Sequence, residues 1–310
     1  MNPPFHHQPV LLAEVLAALR LRSGAKFFDG TCGGAGHSAA ILAASSPAGF
    51  LCACDQDPHA IAAAAERLVP YAGRFELRRM NFADAADWVP AGSCAGALLD
   101  LGVSSHQLDT AARGFSFQQD GPLDMRMSPD HPLTAAAVVN GWPAEELSKL
   151  FWENGERDAR RIARAIERTR KMQRFETTGQ LAACVERECP RHGRRAHPAT
   201  KVFQAVRIAV NDEVGALHRG LAGVTSLLAP DGVLAVITFH SGEDRLVKDY
   251  MRNEARDYDV PAGEEDLPHL RIPRAPRARL LTRKPILPTA AELAANPRAR
   301  SAQLRAMAKI

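Results

Sequence analysis

The sequence predicts an α/β fold with a mostly parallel sheet, and three observations support that prediction. Short apolar runs with strand character recur at residues 26–29, 50–55, 75–79, 96–100 and 232–239. Helix-length segments separate the first four runs, and such alternation is typical of a parallel sheet with helices on both faces. The turn after the first run is glycine-rich and leads into an alanine-rich helix, as at many nucleotide-binding sites. A further helix is predicted over residues 11–21, before the first strand.

Three acidic residues stand where predicted strands end. Asp29, Asp55 and Asp100 close the first, second and fourth runs. An acid in this position is often only the N-cap of the next helix. Ligands of parallel sheets, however, bind at the carboxyl ends of the strands, so three acids from separate strands predict one ligand-binding crevice.

The glycine-rich turn separates the possible ligands. Residues 29–38 read DGTCGGAGHS, with glycines spaced G-x-x-G-G-x-G. A dinucleotide site of the NAD type needs G-x-G-x-x-G, which lets the helix N-terminus approach a pyrophosphate. S-adenosylmethionine (SAM) has no phosphate, and its ammonium and ribose hydroxyls suit carboxylate acceptors. The pattern therefore favours SAM; an NAD-type dehydrogenase and a plain structural turn stay as alternatives.

About a hundred residues are inserted between the fourth and fifth strands. The insert opens with a loop over residues 113–127 and then becomes helical. Arginines at 157, 161, 164 and 168 form a stripe beside an apolar face with helical spacing. We therefore predict a discontinuous core, residues 1–108 and 206–310, and an inserted helical domain at residues 109–205 whose arginine face suits a polyanionic substrate.

The distribution of charge points to a polyanionic partner. The net charge is only +4, but residues 151–210 carry +7 and residues 271–310 carry +9, which leaves −12 on the remainder. Such segregation is typical of nucleic-acid binding, and Arg191, Arg194, Arg195 and Lys201 would add phosphate contacts. The alternative is solvated helix faces and a basic tail. Residues 271–285, rich in Pro and Arg, are expected to be partly mobile.

Several other classes of protein are disfavoured. No run reaches the roughly 20 apolar residues of a membrane span, and no signal peptide is visible, so a cytoplasmic location is expected. The six cysteines form neither a disulfide framework nor paired zinc ligands. No metal is expected, and Cys52 and Cys54 are predicted to pack in the core.

Nine collinear motifs carry a resemblance to a known family. They are 29–38 DGTCGGAGHS, 99–105 LDLGVSS, 113–117 RGFSF, 120–127 DGPLDMRM, 161–166 RIARAI, 197–200 HPAT, 203–208 FQAVRI, 239–241 FHS and 296–301 NPRARS. From His7 to about Arg305 the chain resembles bacterial ribosomal RNA small-subunit methyltransferase H. The resemblance implies a class I SAM-dependent methyltransferase core, Rossmann-like, with a helical insert. It also implies methylation of the N4 amine of one cytosine in the decoding region of 16S ribosomal RNA, either free or within the 30S subunit.

The resemblance also implies a set of residues that contact SAM. They are Ala35, Gly36, His37, Asp55, Phe82, Asp100 and Gln107. Asp55 is expected to hold the ribose hydroxyls and Phe82 to lie near the adenine. Ala35 stands where the family has glycine, and it can donate its backbone N–H as glycine does only if its φ is negative.

The chemistry of methyl transfer requires an acceptor for the amine hydrogens, and Asp100 is the predicted one. The N4 amine of cytosine is a poor nucleophile, and an acceptor such as Asp100 would localise its lone pair and take up its proton. Methylation at carbon-5 needs a cysteine nucleophile, but Cys94 lies at the opposite end of that strand and residues 95–140 contain none. Because the D/N/S-P-P-F/Y signature of amino methyltransferases is missing, the N4 target depends mainly on the resemblance.

Substrate contacts are predicted from three places in the chain. Phe115, Asp124 and Arg126 are assigned to the cytosine pocket, and Arg161, Arg164 and Arg168 to RNA, while His240 and Ser241 face the crevice from the fifth strand. His240 could equally be a core histidine. The alternative function is an RNA-binding ribosome assembly factor with SAM as a structural ligand. A homodimer is left open.

Overall fold

The five predicted runs lie in a seven-stranded sheet. The computed structural model describes residues 9–190, 197–261 and 263–310. The strands of this sheet are β1 Lys26–Asp29, β2 Phe50–Asp55, β3 Phe75–Arg79, β4 Cys94–Asp100, β5 Leu228–Thr238, β8 Ala278–Leu280 and β9 Gln303–Lys309. Their order across the sheet is β3-β2-β1-β4-β5-β9-β8. Strands β1 to β5 are parallel, and β9 is antiparallel to both β5 and β8. The predicted α/β class with a mostly parallel sheet is therefore confirmed.

The central strands are buried on both faces, which explains why they read as continuous apolar runs. Phe27 and Phe28, side by side on β1, are both fully buried, and so are Leu98 and Leu99 on β4. Successive side chains of a strand point to opposite faces, so each pair supplies one residue to each side of the sheet. Each such side chain contributes about 1.5–3 kcal/mol through burial.

Two compact units make up the chain. The first comprises Met1–Gly102 with Gly215–Ile310, and the second is Val103–Val214. In the first unit the helices are α1 Leu12–Leu19, α2 Gly36–Ala44, α3 Pro58–Arg67, α10 Glu213–Leu227 (which begins two residues before it), α11 Ser241–Glu254 and α12 Ala290–Ala295. In the second they are α4 Ser105–Asp109, α5 Ala135–Gly141, α6 Ala144–Glu153, α7 Ala159–Met172, α8 Thr178–Glu188 and α9 Thr200–Val210.

The edges of the second unit differ from the predicted residues 109–205. Helix α9 continues to Val210, and five of its apolar side chains belong to the same core cluster as α5 and α7. Asn211 then ties the end of the helix to the long loop, since its amide donates to the Met125 carbonyl and accepts the Met127 N–H. The chain consequently returns to the first unit at Gly215, later than the expected residue 206.

Local sequence accounts for where several helices begin. Asp57 accepts the His59 N–H at the start of α3, with Pro58 in the first turn. Thr177 and Gln180 form a reciprocal capping box at the start of α8. The basic stretch 271–285 was expected to be partly mobile, but it contains β8 and one strand of a small hairpin, β6 Tyr258–Asp259 with β7 Ile272–Pro273. Among the described residues, no helix has the length and apolar character to cross a bilayer.

Candidate active site

The three strand-end acids stand at one edge of the sheet. Strands β1 and β4 are neighbours in the sheet. Strands β2 and β3, which follow β1 in sequence, lie on one side of this pair, and β5, β8 and β9, which follow β4, lie on the other. The boundary between β1 and β4 is therefore the topological switch point, where α/β sheets bind ligands. Asp29, Asp55 and Asp100 are the last residues of β1, β2 and β4. The predicted grouping of these carboxylates at adjacent strand ends follows from that order.

The glycine-rich loop between β1 and α2 uses its backbone N–H groups internally. Gly30 donates to the Leu98 carbonyl at 3.0 Å, and Thr31 donates to Oδ1 of Asp29 at 3.2 Å. Cys32 donates to the Cys54 carbonyl at 3.0 Å and Gly33 to Oδ2 of Asp55 at 2.9 Å. A pyrophosphate needs such N–H groups free and is repelled by buried carboxylates. The loop is therefore unsuited to a dinucleotide of the NAD type.

Ala35 adopts the left-handed conformation, with φ of +57°, immediately before α2 begins at Gly36. Its N–H donates to the Cys32 carbonyl at 2.7 Å. The condition under which Ala35 was expected to donate its N–H to the cofactor, a negative φ, is thus not met, and a contact between Ala35 and SAM stays a prediction. The first turn of α2, at Gly36 and His37, retains the outward-pointing N–H groups of a helix N-terminus.

Asp55 holds the loop and keeps acceptor capacity. Its Oδ2 accepts the Gly33 N–H and its Oδ1 accepts the Asp57 N–H, both at 2.9 Å. Each carboxylate oxygen has two lone pairs, so further donors such as two hydroxyls can still bind. Burial raises the pKa of Asp55 to about 6, although the two N–H groups lower it.

Asp29 fixes the glycine-rich loop through hydrogen bonds to both of its carboxylate oxygens. Its Oδ2 accepts the Ser38 hydroxyl at 2.6 Å, while its Oδ1 accepts the Thr31 N–H. Burial raises the pKa of Asp29 to about 6 against these hydrogen bonds. Because both oxygens face the loop and the first turn of α2, Asp29 joins the end of β1 to both.

Of the three strand-end acids, Asp100 has a carboxylate oxygen that accepts no hydrogen bond from the described residues. Its backbone N–H donates to Oγ1 of Thr31 at 2.6 Å, which fixes the end of β4 against the loop. Its Oδ1 is buried and has no hydrogen-bond partner within the described part of the chain. Its Oδ2 lies 3.6 Å from Nδ1 of His37. Burial, followed by the fields of Asp29 and Glu243, raises the pKa of Asp100 well above its usual range.

Phe82 occupies a close-fitting place beside the loop. A Cβ at Gly30 would lie 2.8 Å from the Cβ of Phe82, and a Cβ at Gly220 of α10 would lie 2.3 Å from its ring. Two glycines thus make room for this half-buried aromatic side chain, whose predicted partner is the adenine.

His240 and Ser241 follow the end of β5, next to β4 in the sheet. Nδ1 of His240 accepts the Glu243 N–H at 3.3 Å and so caps α11, while its Nε2 lies 3.2 Å from Oε1 of Glu243. Ser241 is exposed in the first turn of α11. Their contact with substrate stays a prediction.

In the second unit, the predicted cytosine-pocket residues contact one another and the core. Phe115 is 6% exposed within the hydrophobic cluster, and the Arg113 guanidinium lies 5.6 Å from its ring centre. Asp124 and Arg126 form a two-pronged ion pair, at 2.9 Å from Nε to Oδ1 and 2.8 Å from Nη2 to Oδ2. Nη1 of Arg126 donates to the carbonyls of Pro129 and His131. The polar groups of Asp124 and Arg126 are thus already hydrogen-bonded within the unit, and Phe115 is part of its core. Contact of these residues with cytosine stays a prediction.

Gln107 also belongs to the second unit, where its side chain completes a capping box with Ser104 at the start of α4. Its Oε1 accepts the Ser104 N–H at 2.9 Å. The predicted contact between Gln107 and SAM stays untested.

Helix α7 carries the predicted arginines on its outer face. Arg161 and Arg164 are exposed, whereas Ile162 and Ile166 are buried in the cluster. Arg168 is exposed as well, but its Nη2 donates to Glu188 at 3.1 Å, which offsets part of its charge. Lys201 donates to the Gly155 carbonyl. His7, Arg191, Arg194 and Arg195 lie outside the described residues.

The residues of the first unit fit SAM. Asp55 has spare lone pairs on both carboxylate oxygens, which suit the vicinal hydroxyls of the SAM ribose. The loop presents acceptors and a helix N-terminus where a carboxylate can bind, and it lacks a cradle for phosphate.

Comparison with known proteins agrees with this geometry. The model of the MraW methylase family matches residues 4–310. The chain belongs to the MraW methylase family. Proteins named ribosomal RNA small subunit methyltransferase H are similar over nearly their full length. That of Symbiobacterium thermophilum is 50% identical over 99% of this chain and 97% of its own, and that of Thermomicrobium roseum is 49% identical over 98% and 94%. That of Syntrophotalea carbinolica is 49% identical over 99% and 98%.

As a member of this family, the chain is a SAM-dependent methyltransferase, as its sequence predicted. Three contributors to the site were absent from the prediction. The Thr31 hydroxyl accepts the backbone N–H of Asp100, and the Ser38 hydroxyl donates to the Asp29 carboxylate. Both residues lie inside the motif 29–38, so their polar side chains were a signal that the sequence offered. Val10 contributes only its carbonyl, to His37, and no side-chain pattern could have indicated it.

Proposed function

We propose that this methyltransferase modifies the exocyclic N4 amine of a cytosine in the 16S ribosomal RNA of the small subunit. The observation that carries the proposal is the Asp100 carboxylate, whose Oδ1 is buried at the carboxyl end of β4 without a partner in the described residues. The names of the full-length relatives support ribosomal RNA as substrate.

The reaction needs alignment and a better nucleophile. The lone pair of the N4 amine is delocalised into the pyrimidine ring. A hydrogen bond from the amine to Oδ1 of Asp100 would localise that pair on nitrogen. When bound, SAM would supply a methyl carbon on a sulfonium sulfur, and in-line attack by the amine nitrogen on that carbon would release a neutral thioether. The tight bond from Asp100 N–H to Thr31 holds the acceptor in place.

Carbon-5 methylation fits the site poorly. It requires a thiolate, and Cys94 is the first residue of β4, far from its carboxyl end. Cys32 and Cys54 are closer, but burial and the charges of Asp55 and Asp29 raise the pKa of both thiols well above the usual range. Both thus stay protonated and weakly nucleophilic at neutral pH.

Substitution at Asp100 tests the reaction. Tritium from labelled SAM should enter one cytosine of undermethylated small subunits, and Asp100→Asn should lower kcat by about 10² or more, in line with the loss of a general base. Normal turnover by Asp100→Asn would contradict the proposed role. Unimpaired subunit assembly with no incorporation at any cytosine would favour the alternative, an assembly factor that binds SAM structurally.

The exposed arginines of α7 are the proposed contacts with RNA phosphates. Replacing Arg161, Arg164 and Arg168 with Gln should weaken RNA binding and reduce the slope of log affinity against log salt by about two, leaving SAM affinity unchanged. Arg22, Lys149 and Arg252 are exposed and lie outside both basic segments, so their triple replacement is a charge-matched control. Equal losses in both triples would mean that only overall charge matters.

The finer partners are part of the same proposal. The substrate is either the assembled 30S subunit or free 16S ribosomal RNA. Comparing the initial rates of methylation on the two would identify it. Methyl transfer from a sulfonium needs no Lewis acid, so activity is expected to survive dialysis against a chelator.

A further inference from the structure

His37 lies between a backbone carbonyl and the Asp100 carboxylate. Its Nε2 is 2.9 Å from the Val10 carbonyl oxygen, and its Nδ1 is 3.6 Å from Oδ2 of Asp100. Because a carbonyl oxygen can only accept, Nε2 carries a hydrogen. Nδ1 is therefore the nitrogen whose protonation can change, and it faces the carboxylate.

The orientation of the imidazole is set by the segment before α1. A Cβ at Gly36 would lie 2.7 Å from Cγ of Pro9, so that segment packs directly on the first turn of α2. The Leu11 N–H donates to Oε1 of Glu292 at 2.7 Å, which fixes the segment from its other end. The Val10 carbonyl is thus held in position to orient His37.

We propose that His37 is a positioning residue that carries a proton on Nδ1 toward Oδ2 of Asp100, and so keeps the Asp100 carboxylate ionised with Oδ1 as acceptor for the amine. With neither group protonated, a lone pair on Nδ1 would face a carboxylate oxygen at close range. A proton between them removes that repulsion and converts it into an attraction. This inference rests on the proposed function, since it concerns the same acceptor.

The surroundings of Asp100 explain why it needs a cationic partner. Asp29 at the end of β1 and Glu243 in the first turn of α11 both face it with negative charge, and it is buried. All three effects raise the pKa of Asp100 and so favour its protonated form, which cannot take up the amine proton. An imidazolium 3.6 Å from its Oδ2 acts in the opposite direction.

The protons and electrons balance with His37 as a bystander. As the nitrogen–carbon bond forms and the carbon–sulfur bond breaks, the electron pair of the broken bond stays on sulfur. The amine proton moves to Oδ1 of Asp100 and from there to water. His37 keeps its own proton throughout, and its positive charge favours the loss of the Asp100 proton to water.

The pH profile of His37→Gln tests the proposal. Glutamine can place its amide nitrogen near the position of Nε2 and keep the bond to Val10, but it offers no proton to Asp100. The acidic limb of kcat against pH, measured at saturating SAM because His37 is also a predicted SAM contact, should move to higher pH by about one unit. A merely structural role would lower kcat by the same factor at every pH, and that result would overturn the proposal.

A second measurement needs neither RNA nor turnover. In ¹⁵N spectra of the ligand-free enzyme, the imidazole of His37, assigned by its absence in His37→Gln, should titrate about one pH unit lower in Asp100→Asn than in wild type. Identical midpoints would rule out the coupling. If the coupling is found but no cytosine is methylated, the proposed function fails and the His37–Asp100 pair remains.

Discussion

At the scale of single residues, the site is built from carboxylates that are costly to keep ionised. Asp29 and Asp55 both have a pKa raised to about 6 by burial, against 3.8 for the unperturbed group. A raised pKa in the folded state means that the fold binds a proton more tightly than the unfolded chain does. The associated stability is present below pH 4 and is lost as the pH rises through 6. Neutral pH thus leaves the free enzyme with charges that a ligand's donors can stabilise.

Asp29→Asn tests this cost directly. The amide stays neutral, so the variant should gain stability relative to wild type by about 2–3 kcal/mol between pH 4 and pH 7.5, measured by urea denaturation at each pH. Any fixed loss from the altered hydrogen bond to Ser38 would be the same at both ends. Ser38→Ala is the opposite control: it removes a bond that favours the ionised form and should lose more stability at pH 7.5 than at pH 4. A pH-independent difference for Asp29→Asn would mean that Asp29 titrates normally.

At the scale of elements, helix α10 makes room for the Phe82 side chain through a small residue, Gly220. Gly220→Ala would place a Cβ 2.3 Å from the Phe82 ring, whereas Gly223→Ala, one turn later, meets nothing closer than 3.7 Å. Gly220→Ala should displace the ring and weaken SAM binding about tenfold by calorimetry. Gly223→Ala should leave SAM affinity unchanged and add up to about 1 kcal/mol of helix stability. Equal SAM affinities in the two variants would show that Phe82 is not a cofactor contact.

The elements also show what the sequence could predict. Strands β1, β2 and β3 were predicted residue for residue. The first two are short apolar runs bounded by turn residues, and β3 alternates Phe75 and Leu77 with charged residues. Strand β9 was missed, because its side chains include Arg305, which is buried in an ion pair with Asp244 of α11. From the sequence alone, Arg305 would be expected to be exposed, because its partner Asp244 lies 61 positions away along the chain.

The site shows the same division. Acids at strand ends were predictable, since their position follows from the strands. The conformation of Ala35 and the carbonyl of Val10 were not, because backbone geometry and backbone acceptors leave no mark in residue type. Glu292, the only acid in the basic segment 271–310, binds the Leu11 N–H, so an isolated exception to a charge pattern was an informative signal.

At the scale of the whole molecule, the strand-end acids and the arginines of α7 lie in units with separate cores. The hydrophobic cluster of the second unit is drawn from residues 103–210, and the clusters of the first unit from residues 10–101 and 217–308. A contiguous segment of about a hundred residues with its own core is of the size that folds independently.

The isolated segment 103–214 is accordingly expected to fold and to keep the RNA-binding function proposed for α7. It should unfold cooperatively in urea by circular dichroism, because Phe151, Ile162 and Ile166 find their apolar partners within the segment. It should bind 16S ribosomal RNA with a salt dependence that falls on replacing Arg161 and Arg164, and it should show no heat of binding with SAM, since Asp55 and Asp100 are absent. A cooperative fold without salt-dependent RNA binding would move the RNA contact to the basic segment 271–310. A segment that does not fold would show that its core depends on the rest of the chain.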